Sequence, residues 1–124
     1  MTDQTVEKKV LLVDDDRDIL AAMEAAMSDL GVKILAAVDG NQAVEMAERH
    51  GPDVVVLDLM LPKRSGLLVM EKLRKQAKRP KVVMITGNPG TRHKIFAKSL
   101  GVDEYINKPF RMEKLIEAVK KLLG

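Results

Sequence analysis

Several polar side chains stand where short apolar runs end. Asp14, Asp15 and Asp16 follow Val10–Val13, Asp58 follows Val54–Leu57, Thr86 follows Val82–Ile85, and Lys108 lies just past Tyr105-Ile106 and before Pro109. Carboxylates a few ångströms apart repel, and each raises its neighbour's pKa unless a cation intervenes. A hard divalent cation with oxygen ligands relieves that repulsion, and Asp14, Asp15 and Asp58 with backbone carbonyls and waters suit Mg²⁺, with Mn²⁺ as the alternative ion. Lys108 supplies a second, fixed positive charge. Such groups can handle a phosphoryl group: cation and lysine neutralise its equatorial oxygens, and the Thr86 hydroxyl donates a hydrogen bond to it. A carboxylate can itself be the nucleophile and carry the group as an aspartyl phosphate. Asp58 is the candidate, because it ends the most apolar run.

These residues need elements to position them, and two periodicities alternate along the chain. Val10–Val13 reads as a strand. Ile19, Leu20, Met23, Ala26, Met27 and Leu30 then recur at helical spacing up to Gly31. Residues 32–38 read as a weaker strand, and Ala43, Val44 and Ala47 as a short helix ending near Gly51-Pro52. The β-branched run Val54–Leu57 predicts a central strand buried on both faces. Leu67, Leu68, Met70 and Leu73 predict a third helix that ends by Pro80. Val82–Ile85 predicts a fourth strand, Ile95, Phe96, Ser99 and Leu100 a fourth helix, Tyr105-Ile106 a fifth strand, and Met112 to Leu123 an amphipathic last helix. Strict alternation of strand and helix predicts an α/β fold, a doubly wound five-stranded parallel sheet with helices on both faces. In such sheets ligands bind outside the carboxyl ends of the strands, which is the edge where the acids, Thr86 and Lys108 fall.

Length and composition narrow the classes. A chain of 124 residues is one domain's worth, and 46% hydrophobic with 31% charged residues is globular rather than disordered or collagen-like. The polar first residues predict a short tail over 1–7 and a domain over 8–124. Cysteine is absent, which removes disulfides, thiolate zinc sites and cysteine nucleophiles. The first nine residues are not a signal peptide, and no apolar run approaches the roughly 20 residues of a membrane span. A cytoplasmic location and no membrane partner are expected. Phe96, Tyr105 and Phe110 are the only aromatics, which disfavours base-stacking modules and nucleic acid as a partner. His50 and His93 have no partners at metal or triad spacing.

The net charge of +3 hides a division. Residues 1–62 carry 5 basic and 13 acidic side chains, and residues 63–124 carry 16 basic and 5 acidic. Within 63–98 the only acid is Glu71. A solvated face is the first reading of that basic stretch; an acidic partner on the third and fourth helices is the second.

The motifs Val10–Asp16, Asp53–Pro62 with Gly66, Met84-Ile85-Thr86-Gly87 and Lys108-Pro109-Phe110, in this order and spacing, resemble response-regulator receiver domains of two-component signalling. The resemblance covers about Lys8 to Leu123 and implies the strand order 2-1-3-4-5. It implies that Asp58 is the phosphoacceptor. Asp14 and Asp15 would be the Mg²⁺-binding pair, with the Met60 backbone carbonyl as a further ligand, and Lys108 the lysine that contacts the phosphoryl group. Thr86 and Tyr105 would be a switch pair, the ring turning inward as the hydroxyl moves toward the phosphoryl group. That movement would change the face made by the fourth helix, fifth strand and fifth helix, where a downstream protein target binds. The implied donor is a sensor histidine kinase or a histidine phosphotransfer protein. Met60 and Asn88 occupy positions that tune self-dephosphorylation in the family. Met60 cannot orient a water by hydrogen bonding, so slow hydrolysis is expected. Gly87-Asn88-Pro89-Gly90 departs from the family pattern just before the predicted fourth helix.

The expected activity is confined to the protein's own phosphorylation and dephosphorylation, so the chain is not an enzyme acting on other substrates. One alternative is a pseudo-receiver, a binding module that is never phosphorylated; the intact Asp14, Asp15, Asp58, Thr86 and Lys108 argue against it. A hydrolase of the aspartyl-phosphate type ranks last, since Met60 stands where a second acid would help.

Overall fold

The computed structural model describes residues 7–61, 65–87, 98 and 100–124. Five strands, β1 (Lys9–Val13), β2 (Lys33–Ala37), β3 (Val54–Asp58), β4 (Lys81–Thr86) and β5 (Glu104–Asn107), form one parallel sheet in the order β2-β1-β3-β4-β5. The order reverses direction between β1 and β3, which opens a crevice at their carboxyl ends. All five residues of β3 are buried, as a strand covered on both faces requires.

Four helices cover the sheet among the described residues: α1 (Arg17–Met27), α2 (Gly40–His50), α3 (Gly66–Arg74) and α4 (Met112–Leu123). Strand side chains alternate between two cores. Leu11, Val13, Val55, Leu57 and Met84 meet Ala43, Ala47, Val69, Met70 and Leu73 of α2 and α3. Val10, Leu12, Val54, Val56, Val83 and Ile85 meet Leu20, Met23, Met27, Leu115 and Val119 of α1 and α4. Each fully buried aliphatic side chain contributes about 1.5–3 kcal/mol, so both faces of the sheet must be covered by helices.

Local chemistry sets the helix ends. Asp16 caps α1 by accepting from the Asp18 and Ile19 N–H groups, Asp39 caps α2 through the Gln42 N–H, and Ser65 caps α3 through the Leu68 N–H. A 3₁₀ turn, Ser28–Leu30, prolongs α1, and Gly31 then takes φ 69°, which glycine adopts without strain. Helix α2 starts earlier than its apolar residues suggest, because its first turn, Gly40-Asn41-Gln42, has no apolar side chain to signal it and is held by the Asp39 cap, with Gly40 itself buried. Most of the predicted fourth helix, 88–97 and Ser99, lies outside the described residues; Leu100 is buried. The seven described cations of the basic stretch, Lys72, Arg74, Lys75, Lys78, Arg79, Lys81 and Lys98, are all exposed.

Candidate functional site

The carboxyl edge of the sheet gathers the acids. The Asp14 N–H donates to the Ala37 carbonyl at 3.1 Å, which holds the chain in register one residue beyond β1. Its side chain is buried, and its Oδ1 accepts from the Asp16 N–H at 2.9 Å. Asp16 turns its own oxygen to the first turn of α1, so it serves the helix rather than the acid cluster. Asp15 is exposed. Asp58, the last residue of β3, pairs in register with Ile85 of β4 and is buried.

Asp14, Asp15 and Asp58 each bring one carboxylate oxygen within 4.8 Å of the other two. Lys108 enters from beyond β5. Its N–H donates to the Thr86 carbonyl at 2.7 Å, and the Lys108–Pro109 peptide is cis. Its Nζ lies 2.9 Å from Asp58 Oδ2 and 3.9 Å from Asp14 Oδ2. The other oxygen of Asp58, Oδ1, accepts from the Met60 N–H at 2.9 Å.

The electrostatics follow from this crowding. Burial pushes the Asp14 carboxyl up to about 6, and the nearby Asp58 charge adds to the effect against the Asp16 N–H and Lys108. Burial disfavours the charged form of Lys108, but Asp58, Asp14 and Asp15 outweigh it and hold its pKa above the usual lysine value. Three carboxylates face one ammonium, so the cluster is short of positive charge. Its donors are all hard oxygens, and two of the three acids are buried. A small divalent cation such as Mg²⁺ fits both the charge deficit and the donor chemistry.

The remaining predicted residues fall into place unevenly. Thr86 ends β4, fully buried, beside β5 at Asn107. The Tyr105 ring packs against the core under α2 and α3, and its hydroxyl is enclosed without a hydrogen-bond partner among the described residues. Met60 is 73% exposed at the loop following Asp58. Asn88 lies outside the described residues. One contributor with no role assigned from the sequence is Gly66. Its N–H donates to the Leu59 carbonyl at 2.8 Å, and a Cβ there would lie 2.6 Å from the Asp58 carbonyl oxygen and 2.7 Å from Leu59 Cα. A glycine at the start of α3 was the available signal; the contact behind it joins distant backbone and is not legible locally.

The opposite edge of the sheet carries a second polar cluster. Asp53 Oδ2 accepts from the Lys9 N–H at 2.8 Å, and Asp53 Oδ1 pairs with Lys78 Nζ at 3.2 Å. Lys78 Nζ also donates to the Gly51 carbonyl at 2.7 Å, and Lys9 Nζ to the His50 carbonyl at 3.0 Å. Burial works against the charged form of Asp53, but the Lys9 N–H and Lys78 hold its carboxyl below the usual range. A groove of about 560 Å³ beside it, between α2 and α3, is lined by Glu48, Lys72, Lys75 and Lys78.

A five-stranded parallel sheet in this order, with an acid cluster and a lysine at its carboxyl edge, defines a class. The chain belongs to the response regulator receiver domain family, which it matches over residues 10–120. It is a receiver domain of two-component systems. It is similar to the receiver domain of Francisella response regulator 1452, with 32% identity, a TM-score of 0.87, and 94% of this chain and 96% of that one covered. It is also similar to a CheY-like receiver domain protein from Methanospirillum hungatei, with 29% identity, a TM-score of 0.88 and 94% of each chain covered. A third match is the receiver domain of sensor histidine kinase PA1611 from Pseudomonas aeruginosa, solved with a magnesium ion coordinated in its active site cleft. That match has 27% identity, a TM-score of 0.85, and coverage of 96% of this chain and 99% of that one. Among the described residues no helix is long and apolar enough to cross a membrane.

Proposed function

We propose that Asp58 accepts a phosphoryl group from the phosphohistidine of a sensor histidine kinase or a histidine phosphotransfer protein. One observation carries this reading: the buried Asp58 carboxylate lies against Lys108 Nζ at 2.9 Å and within 4.8 Å of two further acids. A carboxylate oxygen of Asp58 attacks phosphorus, the P–N bond to histidine breaks, and an acyl phosphate forms. Lys108 holds positive charge beside the oxygens on which negative charge accumulates. Asp14, Asp15, Asp58 and the Met60 carbonyl would hold Mg²⁺, which neutralises phosphoryl oxygens and screens the acids from one another.

The acyl phosphate replaces one charged carboxylate with a dianionic group at the end of β3. Thr86, next to this edge, donates its hydroxyl to that group. Tyr105 then shifts, and the surface of β5 and α4, with the segment before β5, changes for a downstream protein target. The Tyr105 hydroxyl, enclosed without a hydrogen-bond partner among the described residues, supports a ring that has more than one position to choose from. The chain acts catalytically only on its own phosphorylation and hydrolysis.

The test is incubation with Mg²⁺ and a small acyl phosphate, read by intact mass, with Asp58→Ala alongside. One added phosphoryl group on the parent and none on the variant is the expected result. No adduct on the parent, with a histidine kinase donor also supplied, would assign the chain to the non-phosphorylated pseudo-receivers.

A further inference from the structure

Seven of the eight methionines lie in the described residues, and six of them are buried or half-buried: Met23, Met27, Met70 and Met84 in the cores, Met46 and Met112 at their rims. Met60 is the exception, at 73% exposure. Its position is as unusual as its exposure. The Met60 N–H donates to Asp58 Oδ1 at 2.9 Å, so its Cα stands one bond from an atom that touches the phosphoacceptor. The backbone of a solvent-exposed methionine therefore adjoins the group that carries the phosphoryl.

We propose that Met60 is an oxidation site, and that hydroperoxides convert it to the sulfoxide and thereby shorten the life of the Asp58 acyl phosphate. The inference rests on Asp58 being the phosphoacceptor. In the oxidation, the sulfur lone pair attacks the peroxide. The O–O bond breaks, an S–O bond forms, sulfur loses two electrons, and water or an alcohol leaves. Exposure makes Met60 the first of the described thioethers to react, while the other six are shielded by packing. A thioether is a weak hydrogen-bond acceptor, so reduced Met60 offers nothing to hold a water beside the acyl phosphate. The sulfoxide oxygen is a strong, dipolar acceptor on the same side chain. It orients a water whose oxygen attacks phosphorus; the O–P bond to Asp58 breaks, and inorganic phosphate and the free carboxylate result. Oxidant exposure would thus reset the phosphorylated state without any phosphatase.

The experiment treats the full chain with hydrogen peroxide and maps the oxidised peptides by mass. The protein is then charged with acetyl phosphate and Mg²⁺, freed of donor, and followed for loss of the phosphoryl mass. The Met60 peptide should gain one oxygen before the peptides of Met23, Met27, Met46, Met70, Met84 and Met112. The oxidised protein should lose its phosphoryl group several-fold faster, and methionine sulfoxide reductase should restore the slower rate. Met60→Leu should show the same lifetime before and after peroxide, whereas Met60→Gln, with a permanent acceptor, should be fast without it. Preferential oxidation at one of those six, or an unchanged lifetime with Met60 fully oxidised, would overturn the proposal. So would a Met60→Leu protein as sensitive to peroxide as the parent. If the untreated protein takes up no phosphoryl group, the phosphoacceptor reading fails and this inference with it; the peptide map separates that outcome from a failure of selective oxidation.

Discussion

Lys108 Nζ and Asp58 Oδ2 meet at 2.9 Å across 50 residues of chain, and the same ammonium lies 3.9 Å from Asp14. One lysine thus offsets two buried acids. Lys108→Met leaves both without their cation. The side chain is about a third exposed, so solvent screens part of the loss, and the expected destabilisation is about 1 kcal/mol. Urea unfolding at pH 7 measures it. Phosphoryl uptake from an acyl phosphate should fall by more than the stability does, because the lysine also faces the incoming group. A variant with full uptake would remove Lys108 from the chemistry.

Asp14 makes the opposite prediction for the metal-free protein. Its carboxyl is pushed up to about 6, above the ordinary 3.8, so its charged form is disfavoured in the fold. A raised carboxyl stabilises below its ordinary value, and that contribution is lost as pH rises through 6. Asp14→Asn keeps an acceptor for the Asp16 N–H and removes the charge. In chelator it should be more stable than the parent at pH 7 by about 1–2 kcal/mol, with the difference vanishing near pH 4. Mg²⁺ should raise the parent's midpoint and leave the variant's unmoved. A variant less stable than the parent at every pH would contradict the repulsion argument.

At the far edge, Asp53 has a lowered pKa, and the sign reverses. Its stabilisation is present above the ordinary carboxylate value and is lost as pH falls through its lower folded value. Asp53→Ala removes the acceptor of the Lys9 N–H and the partner of Lys78. The expected cost at pH 7 is about 1–2 kcal/mol, and it should shrink below pH 4. Equilibrium unfolding at both pH values reads it, and phosphoryl uptake should stay at the parent's level.

Gly66→Ala tests the backbone beneath the site. The added methyl would sit 2.6 Å from the Asp58 carbonyl oxygen, so either α3 or the loop after β3 must move. A cost of about 1–3 kcal/mol is expected, as for other overpacked positions. Mg²⁺ affinity, read by titration, should weaken in parallel, because the displaced backbone carries Asp58. Unchanged affinity would show that the helix yields and the loop does not.

Much of this was legible because burial writes itself into sequence. The run Val54–Leu57 announces a doubly covered strand, and the acids, Thr86 and Lys108 follow from where such runs stop. Asp16 as a cap is likewise a local signal. What stayed hidden joins distant residues. The Lys9–Asp53 contact spans 44 residues, and nothing near either one predicts it. The first turn of α2 is polar, so periodicity starts it late. Gly66 looks like an ordinary helix-start glycine until the Asp58 carbonyl is seen beneath it.

The two polar clusters sit at opposite ends of β3. Asp53 precedes the strand and Asp58 ends it, a rise of roughly 16 Å at about 3.3 Å per residue. That span is about twice the screening length of physiological salt, ~8 Å. Only charges that meet through solvent are damped over that distance; through the core, at an effective dielectric constant of about 20, two unit charges about 16 Å apart still interact by about 1 kcal/mol. The Asp53 cluster can therefore change with little effect on the acids beyond that small coupling, and a dianion at Asp58 bears only weakly on the Asp53 cluster. Strand β3 thus joins a maintenance edge to a working edge that are weakly coupled, so drift in one reaches the other only faintly.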